Sequence, residues 1–163
     1  MLADQMRRLF SYNTWAWQHI YDSVEKLDAD AYHASRLLFQ GSIHGLLVHA
    51  MAAEHIWFLR CHEENPTTLL EPDEFADFVA VRTRWSSIRH DWANYLQWVS
   101  DADCKQFIEY RNTSGKPYSA RLIDILQHVV NHATEHRSQL TPILHQLGVP
   151  TTPLDYIFFR TQL

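Results

Sequence analysis

The stretch that decides the fold is HVVNHATEHRSQLTPILHQLGV, residues 128–149. Together with the residues before it, this stretch places an apolar side chain or a histidine at every third or fourth position, which is the periodicity of one helical face. Gly148, followed by Pro150, is a typical helix stop. The pattern predicts a helix from about Ser119 to Leu147, kinked near its end by Pro142. The residues on the face are Leu122, Ile125, Val129, His132, His136, Leu140, Ile143 and Leu147.

Three earlier segments have the same helical periodicity. The first runs from about Leu2 to Leu27. The second runs from Ile43 to about Cys61, with Ser42 as a plausible N-cap. The third extends to Val99, and Pro72 suits its first turn. The sequence thus predicts four long amphipathic helices.

The segments between the helices are short. Residues 28–40 are interpreted as a connection. Residues 106–119, with a polar turn between two short extended pieces, predict a hairpin whose proline confines it to an edge. Residues 151–163 form a tail with enough aromatic side chains to pack on the body. The expected fold is all-α: a four-helix bundle with a small hairpin insert before the last helix, in a single domain over residues 1–163.

Composition excludes several classes of protein. The chain has 163 residues and a net charge of −5, so it has a core of ordinary size and no basic surface for nucleic acid. Cys61 and Cys104 are far apart, which gives neither a disulfide framework nor a thiolate metal site. No segment reads as a signal peptide or a membrane span. We expect a cytoplasmic protein, and a homodimer.

Two histidines of the last helix stand where apolar residues are expected. His132 and His136 are four residues apart on the predicted core face, so their side chains meet. Two protonated imidazoles would repel each other there, whereas a divalent metal binds both neutral rings. His128 lies at the edge of the face, and His145 points elsewhere. From spacing alone, a metal pair and a pair of hydrogen-bonded core histidines both stay open.

A third metal ligand has to come from another helix. Of the histidines in and just after the second helix, His49 borders the apolar stripe, although periodicity does not isolate it. Glu54 lies within that stripe and either orients a ligand imidazole or is half-exposed near the rim of the bundle. Asn13 interrupts the stripe of the first helix, as a core amide that sets helix register or as part of a site. His128 is a further candidate to support the ligands, or a surface residue.

Four motifs resemble the DinB/YfiT superfamily of bundle proteins. They are SYNTWAWQHI (11–20), SIHGLLVHAMAAEHIW (42–57), FIEYRNTSGKPYS (107–119) and the opening stretch. The resemblance implies a divalent metal held by one histidine of the second helix and two of the last, which match His49, His132 and His136. The chain departs from the common HHRGQ pattern by having Glu135 and Ser138. Neither change removes a ligand, and Glu135 is predicted to face solvent.

A three-histidine site suggests a catalytic metal. Structural zinc normally has four protein ligands, so three histidines leave a position for water or substrate. The resemblance implies a metal-dependent hydrolase or a low-molecular-weight-thiol transferase that acts on a small molecule, with one divalent ion of zinc, nickel or iron. The alternative is a non-catalytic metal-binding or stress-related binding bundle.

Three other chemistries are disfavoured. HATEH, residues 132–136, spells the inverted zinc-protease motif, but such enzymes need an α/β scaffold and a longer chain. No glutamate has a histidine three residues later, as a di-iron carboxylate bundle requires. The sequence also lacks a GxSxG nucleophile motif.

Overall fold

Four long helices dominate the structure, a computed structural model that describes residues 1–161. They are α1 (Leu2–Val24), α3 (Ile43–Cys61), α4 (Phe78–Trp98) and α5 (Leu122–Gln146). Two short helices, α2 (Ala29–His33) and α6 (Tyr156–Thr161), lie in the connection and the tail. The predicted all-α bundle is confirmed.

The four long helices enclose one core. α1 packs against α4 and α5, and α3 packs against the same two helices. Trp17, Trp85 and Trp92 are almost wholly buried, and Trp17 and Trp85 contact each other with their ring centres 4.6 Å apart. Within residues 1–161, no helix is both long and apolar enough to cross a membrane.

Side-chain caps fix where two of the long helices begin. Ser42 accepts a hydrogen bond from the Gly45 amide at 2.9 Å, which confirms it as the N-cap of α3. The prediction for Pro72 is wrong. Pro72–Glu74 forms a separate 3₁₀ turn, and α4 begins at Phe78 because Asp77 caps it through the Ala80 amide.

The hairpin takes residues that were assigned to the last helix. Strand β1 (Phe107–Arg111) pairs with strand β2 (Pro117–Arg121) in an antiparallel two-stranded sheet. Ser119 pairs with Glu109, so α5 starts at Leu122 rather than Ser119. The interstrand hydrogen bonds occupy the backbone groups that another helical turn would need. Pro117 lies at the strand end, as the edge prediction requires.

The connection and the tail both pack on the bundle. The predicted connection contains α2, whose N-cap Asp28 accepts a hydrogen bond from the Ala31 amide at 2.7 Å. In the tail, Tyr12 donates a hydrogen bond to the Leu154 carbonyl at 2.7 Å and contacts the ring of Tyr156. Packing of the tail is thus confirmed as far as residue 161. Residues 162 and 163 lie outside the described chain.

A buried polar network joins all four long helices. Glu54 of α3, only 3% exposed, accepts hydrogen bonds from Asn13 of α1 at 2.8 Å and from Trp85 of α4 at 2.6 Å. Arg89 of α4 lies 3.5 Å from the same carboxylate. Arg137 of α5 donates to the Asn13 side-chain oxygen. A buried carboxylate is costly unless it has such partners, so the network fixes how the helices are aligned.

Removing this carboxylate should destabilise the bundle. We expect Glu54→Leu to lower the free energy of unfolding by about 3–5 kcal/mol, because Arg89 stays buried without its anion and Asn13, which accepts from Arg137, loses its own acceptor. Urea denaturation followed by circular dichroism measures the change. Glu64→Leu, at an exposed glutamate just beyond α3, is the control and should change stability by less than about 0.5 kcal/mol. Equal unfolding midpoints for the two variants would contradict the role given to Glu54.

Candidate metal centre

Three histidines from two helices converge on one point. His49 projects from α3, and His132 and His136 project from consecutive turns of α5. One ring nitrogen from each histidine lies within 4.8 Å of the other two. The Nε2 atoms of His132 and His136 are 3.0 Å apart, and the His49 ring centre lies 5.3 and 4.8 Å from their ring centres. Nitrogens on a tetrahedral zinc at 2.0–2.1 Å are about 3.3 Å apart, so this donor set fits a divalent ion.

A hydrogen bond on the far side of His136 fixes the orientation of its ring. His136 Nδ1 lies 3.0 Å from the Gln139 side-chain oxygen, which can only accept. The Nδ1 atom therefore carries the proton, and the Nε2 lone pair faces His132 and His49. Hydrogen-bonding a ligand imidazole in this way fixes its tautomer and raises its basicity. Gln139 thus prepares His136 to bind a cation.

The surroundings favour the neutral form of two of the imidazoles, those of His132 and His49. Burial lowers the pKa of His132 to about 3, and the neighbouring charges of His136, His49 and His128 lower it further. Burial also lowers the pKa of His49. The neighbouring His136 lowers this pKa further, whereas the Glu135 carboxylate raises it. Neutral imidazole is the form that binds a metal, so His132 and His49 are ready to bind one at pH 7 without first losing protons.

The group is open on one side. His136 is 7% exposed, whereas His49 and His132 are half-buried. Glu135 is exposed, in agreement with its predicted orientation towards solvent. A partly exposed group of three histidines leaves room for a small molecule to approach a bound ion.

The structure pairs two of the three supporting candidates with each other and places the third beside the histidine group. Asn13 and Glu54 are buried and bonded to each other, and neither has a hydrogen bond to the histidine group among those formed within residues 1–161. The alternative that put Glu54 half-exposed at the rim is therefore wrong. His128 is exposed, and its ring centre lies 5.7 Å from that of His132. Any role of Asn13, Glu54 and His128 towards a metal stays a prediction.

The other histidines of the α3 segment are engaged elsewhere. The buried His44 contacts the Tyr32 hydroxyl at 3.0 Å and the Pro72 carbonyl at 2.9 Å. His55 contacts Arg84 at 3.0 Å, and His62 contacts the Phe58 carbonyl. His49 is thus the histidine of this segment that joins His132 and His136.

Sequence reasoning missed Gln139 and Arg137. Gln139 lies three residues after His136, a spacing that brings side chains together on a helix, so this signal was present in the sequence. Arg137 is 2% exposed and bonds Asn13 and Thr134. Its partner is 124 residues away along the chain, so no local pattern could reveal the contact.

Comparison with known proteins gives two similarities. The sequence model of the DinB family matches residues 1–162. The chain is 24% identical over 162 residues to Protein DinB of Bacillus subtilis (strain 168), covering 95% of this chain and 93% of that protein. Both matches extend over the helices that carry His49, His132 and His136.

The donor set predicts about one divalent ion per chain. We expect His132→Ala and His136→Ala each to remove most of the metal found in the purified wild-type protein, as measured by inductively coupled plasma mass spectrometry. His145→Ala is the matched control, because His145 is an exposed histidine of the same helix. Equal metal content in all four proteins would refute the assignment.

The neutral His132 also predicts how stability depends on pH. Because its folded-state pKa is about 3, the unfolded chain gains the proton first as the pH falls below about 6.5. The metal-free protein should therefore lose stability between about pH 6.5 and pH 3, and His132→Asn should lose less over that range. Urea unfolding at about pH 7 and about pH 4.5 tests this, with His145→Asn as control. If both variants follow the wild-type pH dependence, the lowered pKa assigned to His132 is wrong.

Proposed function

The chain belongs to the DinB family, and we propose that it is a divalent-metal-dependent enzyme acting on a small molecule at His49, His132 and His136. The observation that carries the proposal is the convergence of three imidazole nitrogens within 4.8 Å of one another. The reaction class is hydrolysis or the transfer of a low-molecular-weight thiol. The ion is zinc, nickel or iron, since imidazole suits all three.

Three protein ligands favour catalysis over a structural role. A structural zinc site is closed by four protein ligands, whereas a catalytic site keeps one position for water or substrate. In the bundle, the core packing and the Glu54 network already hold α3 and α5 together. When bound, the ion supplies a Lewis acid that lowers the pKa of a water or thiol in its free position.

The side chains around the group have separable tasks. Gln139 holds the proton of His136 on Nδ1, which keeps the Nε2 lone pair directed at the group. Burial keeps His132 and His49 unprotonated. The half-buried His49 and His132 form the side from which a substrate approaches. These features support binding of an ion and of one small ligand at the same time.

The proposal extends to partners and location. We propose a small-molecule substrate with a thiol as cosubstrate in the transferase case, no nucleic-acid partner, a homodimer and a cytoplasmic location. The net charge of −5 supports the exclusion of nucleic acid, since such partners need a basic surface. A binding protein without turnover is the alternative, and measured turnover separates it from an enzyme.

Turnover should depend on the metal. On panels of esters and of thiol adducts, we expect a chelator to lower the rate by about 100-fold or more and added zinc, nickel or iron to restore it. His49→Ala should show the same loss without chelator, while His145→Ala keeps the wild-type rate. Metal-loaded protein that binds these compounds without converting any of them would support the binding bundle instead.

A further inference from the structure

A buried arginine near the histidine group lacks an anionic partner. Arg60, in the last turn of α3, is 6% exposed. Its guanidinium lies 4.6 Å from the ring centre of Trp57 and 5.1 Å from that of Tyr110 on β1. Its buried Nε has no hydrogen-bond partner, and no carboxylate within residues 1–161 lies at salt-bridge distance. The aromatic rings cover the faces of the guanidinium, but its Nε–H has no acceptor among residues 1–161.

Within residues 1–161, Arg60 lacks the polar side-chain partner that Arg89 and Arg137 each have. Arg89 lies 3.5 Å from Glu54, although its Nε and one Nη have no hydrogen-bond partner, and Arg137 donates to Asn13 and Thr134. Burying a charge is costly unless it is paired and hydrogen-bonded. Cation–π contacts offset part of this cost but leave the buried Nε–H without an acceptor.

A continuous line of side chains leads from the histidine group to Arg60. The ring centre of His128 lies 5.7 Å from that of His132 and 5.1 Å from that of Trp57. The Trp57 ring in turn contacts the guanidinium of Arg60. His128 is exposed, so this line follows a surface that a small molecule can reach. Trp57, whose ring contacts the guanidinium, lies eight residues after His49 on α3. Eight residues correspond to about two helical turns, or about 12 Å, which places the guanidinium on the order of 10 Å from the histidine group.

The large cavities do not offer a competing place for a ligand of this centre. Four cavities of about 550–580 Å³ are lined by residues that include none of the three histidines. One of them lies beside Tyr110 and Tyr118 of the hairpin. A ligand of the histidine group therefore approaches along the exposed surface beside His128 rather than through one of these cavities.

We infer that Arg60 binds a carboxylate of the substrate or thiol cosubstrate, whose reacting end lies at the histidine group about 10 Å away. A guanidinium presents paired N–H donors that match a carboxylate in both geometry and charge. Trp57 and Tyr110 hold its faces, which leaves the N–H edge as the surface for recognition. The position of the reacting end at the histidine group rests on the proposed function, whereas the anion site at Arg60 does not depend on it.

The length of the ligand provides the first test. Zinc-loaded protein is titrated by calorimetry with mercaptoacetate and ω-mercaptooctanoate, each beside its uncharged amide. We expect the octanoate to bind roughly ten- to a hundredfold more tightly than its amide, as hydrogen bonds to charged groups predict. Mercaptoacetate, which is too short to reach Arg60, should show no such preference. Arg60→Met should abolish the preference, and Arg60→Lys should keep part of it.

Two controls isolate the effect of Arg60. Arg84→Met removes one positive charge from α4, where Arg84 contacts His55, and should keep the wild-type preference. Zinc content of all variants should equal that of the wild type. If Arg60→Met keeps the preference, or if the wild type never shows one, the inference is overturned.

A metal-free measurement separates this inference from the proposed function. Succinate should raise the melting temperature of the chelator-treated wild type by about 2–4 °C relative to sodium chloride at equal ionic strength, and should not do so for Arg60→Met. A purely structural clamp between α3 and the hairpin predicts a different result: a lower melting temperature for Arg60→Met and no effect of succinate in either protein. Failure of every thiol to bind the zinc protein, with the succinate effect intact, would count against the proposed thiol chemistry alone.

Discussion

The buried carboxylate of Glu54 is the constraint on which the rest of the bundle depends. It lies where α1, α3 and α4 meet, and Asn13 extends its hydrogen bonds to Arg137 of α5. Apolar contacts alone tolerate small shifts of one helix along another, whereas a buried ion pair with directional hydrogen bonds does not. Arg137 directly follows His136, and Glu54 lies five residues after His49. The network that aligns the helices therefore also determines which histidines meet.

The periodicity of the sequence predicted the helices well because one face of each is buried. The stripe that contains Val129, His132 and His136 identified α5 and the two histidines that it contributes. His49 needed more than periodicity, because α3 is buried on most of its surface and its apolar pattern is broad. The resemblance to known bundles selected His49, and the structure brings it to the other two.

The errors arose where tertiary hydrogen bonds compete with local preference. Pro72 suits a helical first turn, but Asp77 is the residue whose side chain caps α4. Ser119 could extend α5 backwards, but its backbone pairs with Glu109 across the hairpin. Such partners are distant in sequence and leave no periodic signal. Arg60 was missed for the same reason, since Tyr110, which covers it, belongs to another element.

The buried charges of this fold fall into two groups, and the division bears on function. Arg89 lies beside the Glu54 carboxylate and Arg137 donates to the Asn13 amide, so the bundle itself supplies a polar partner for each. Arg60 has no such partner among residues 1–161, and burial lowers the pKa of both His49 and His132 below the ordinary value of a histidine. Unsatisfied polar groups lower stability, and they are characteristic of sites whose partners arrive from outside the fold. A cation at the histidines and an anion at Arg60 would satisfy both, and a single molecule with a metal-binding end and an acidic end would link them.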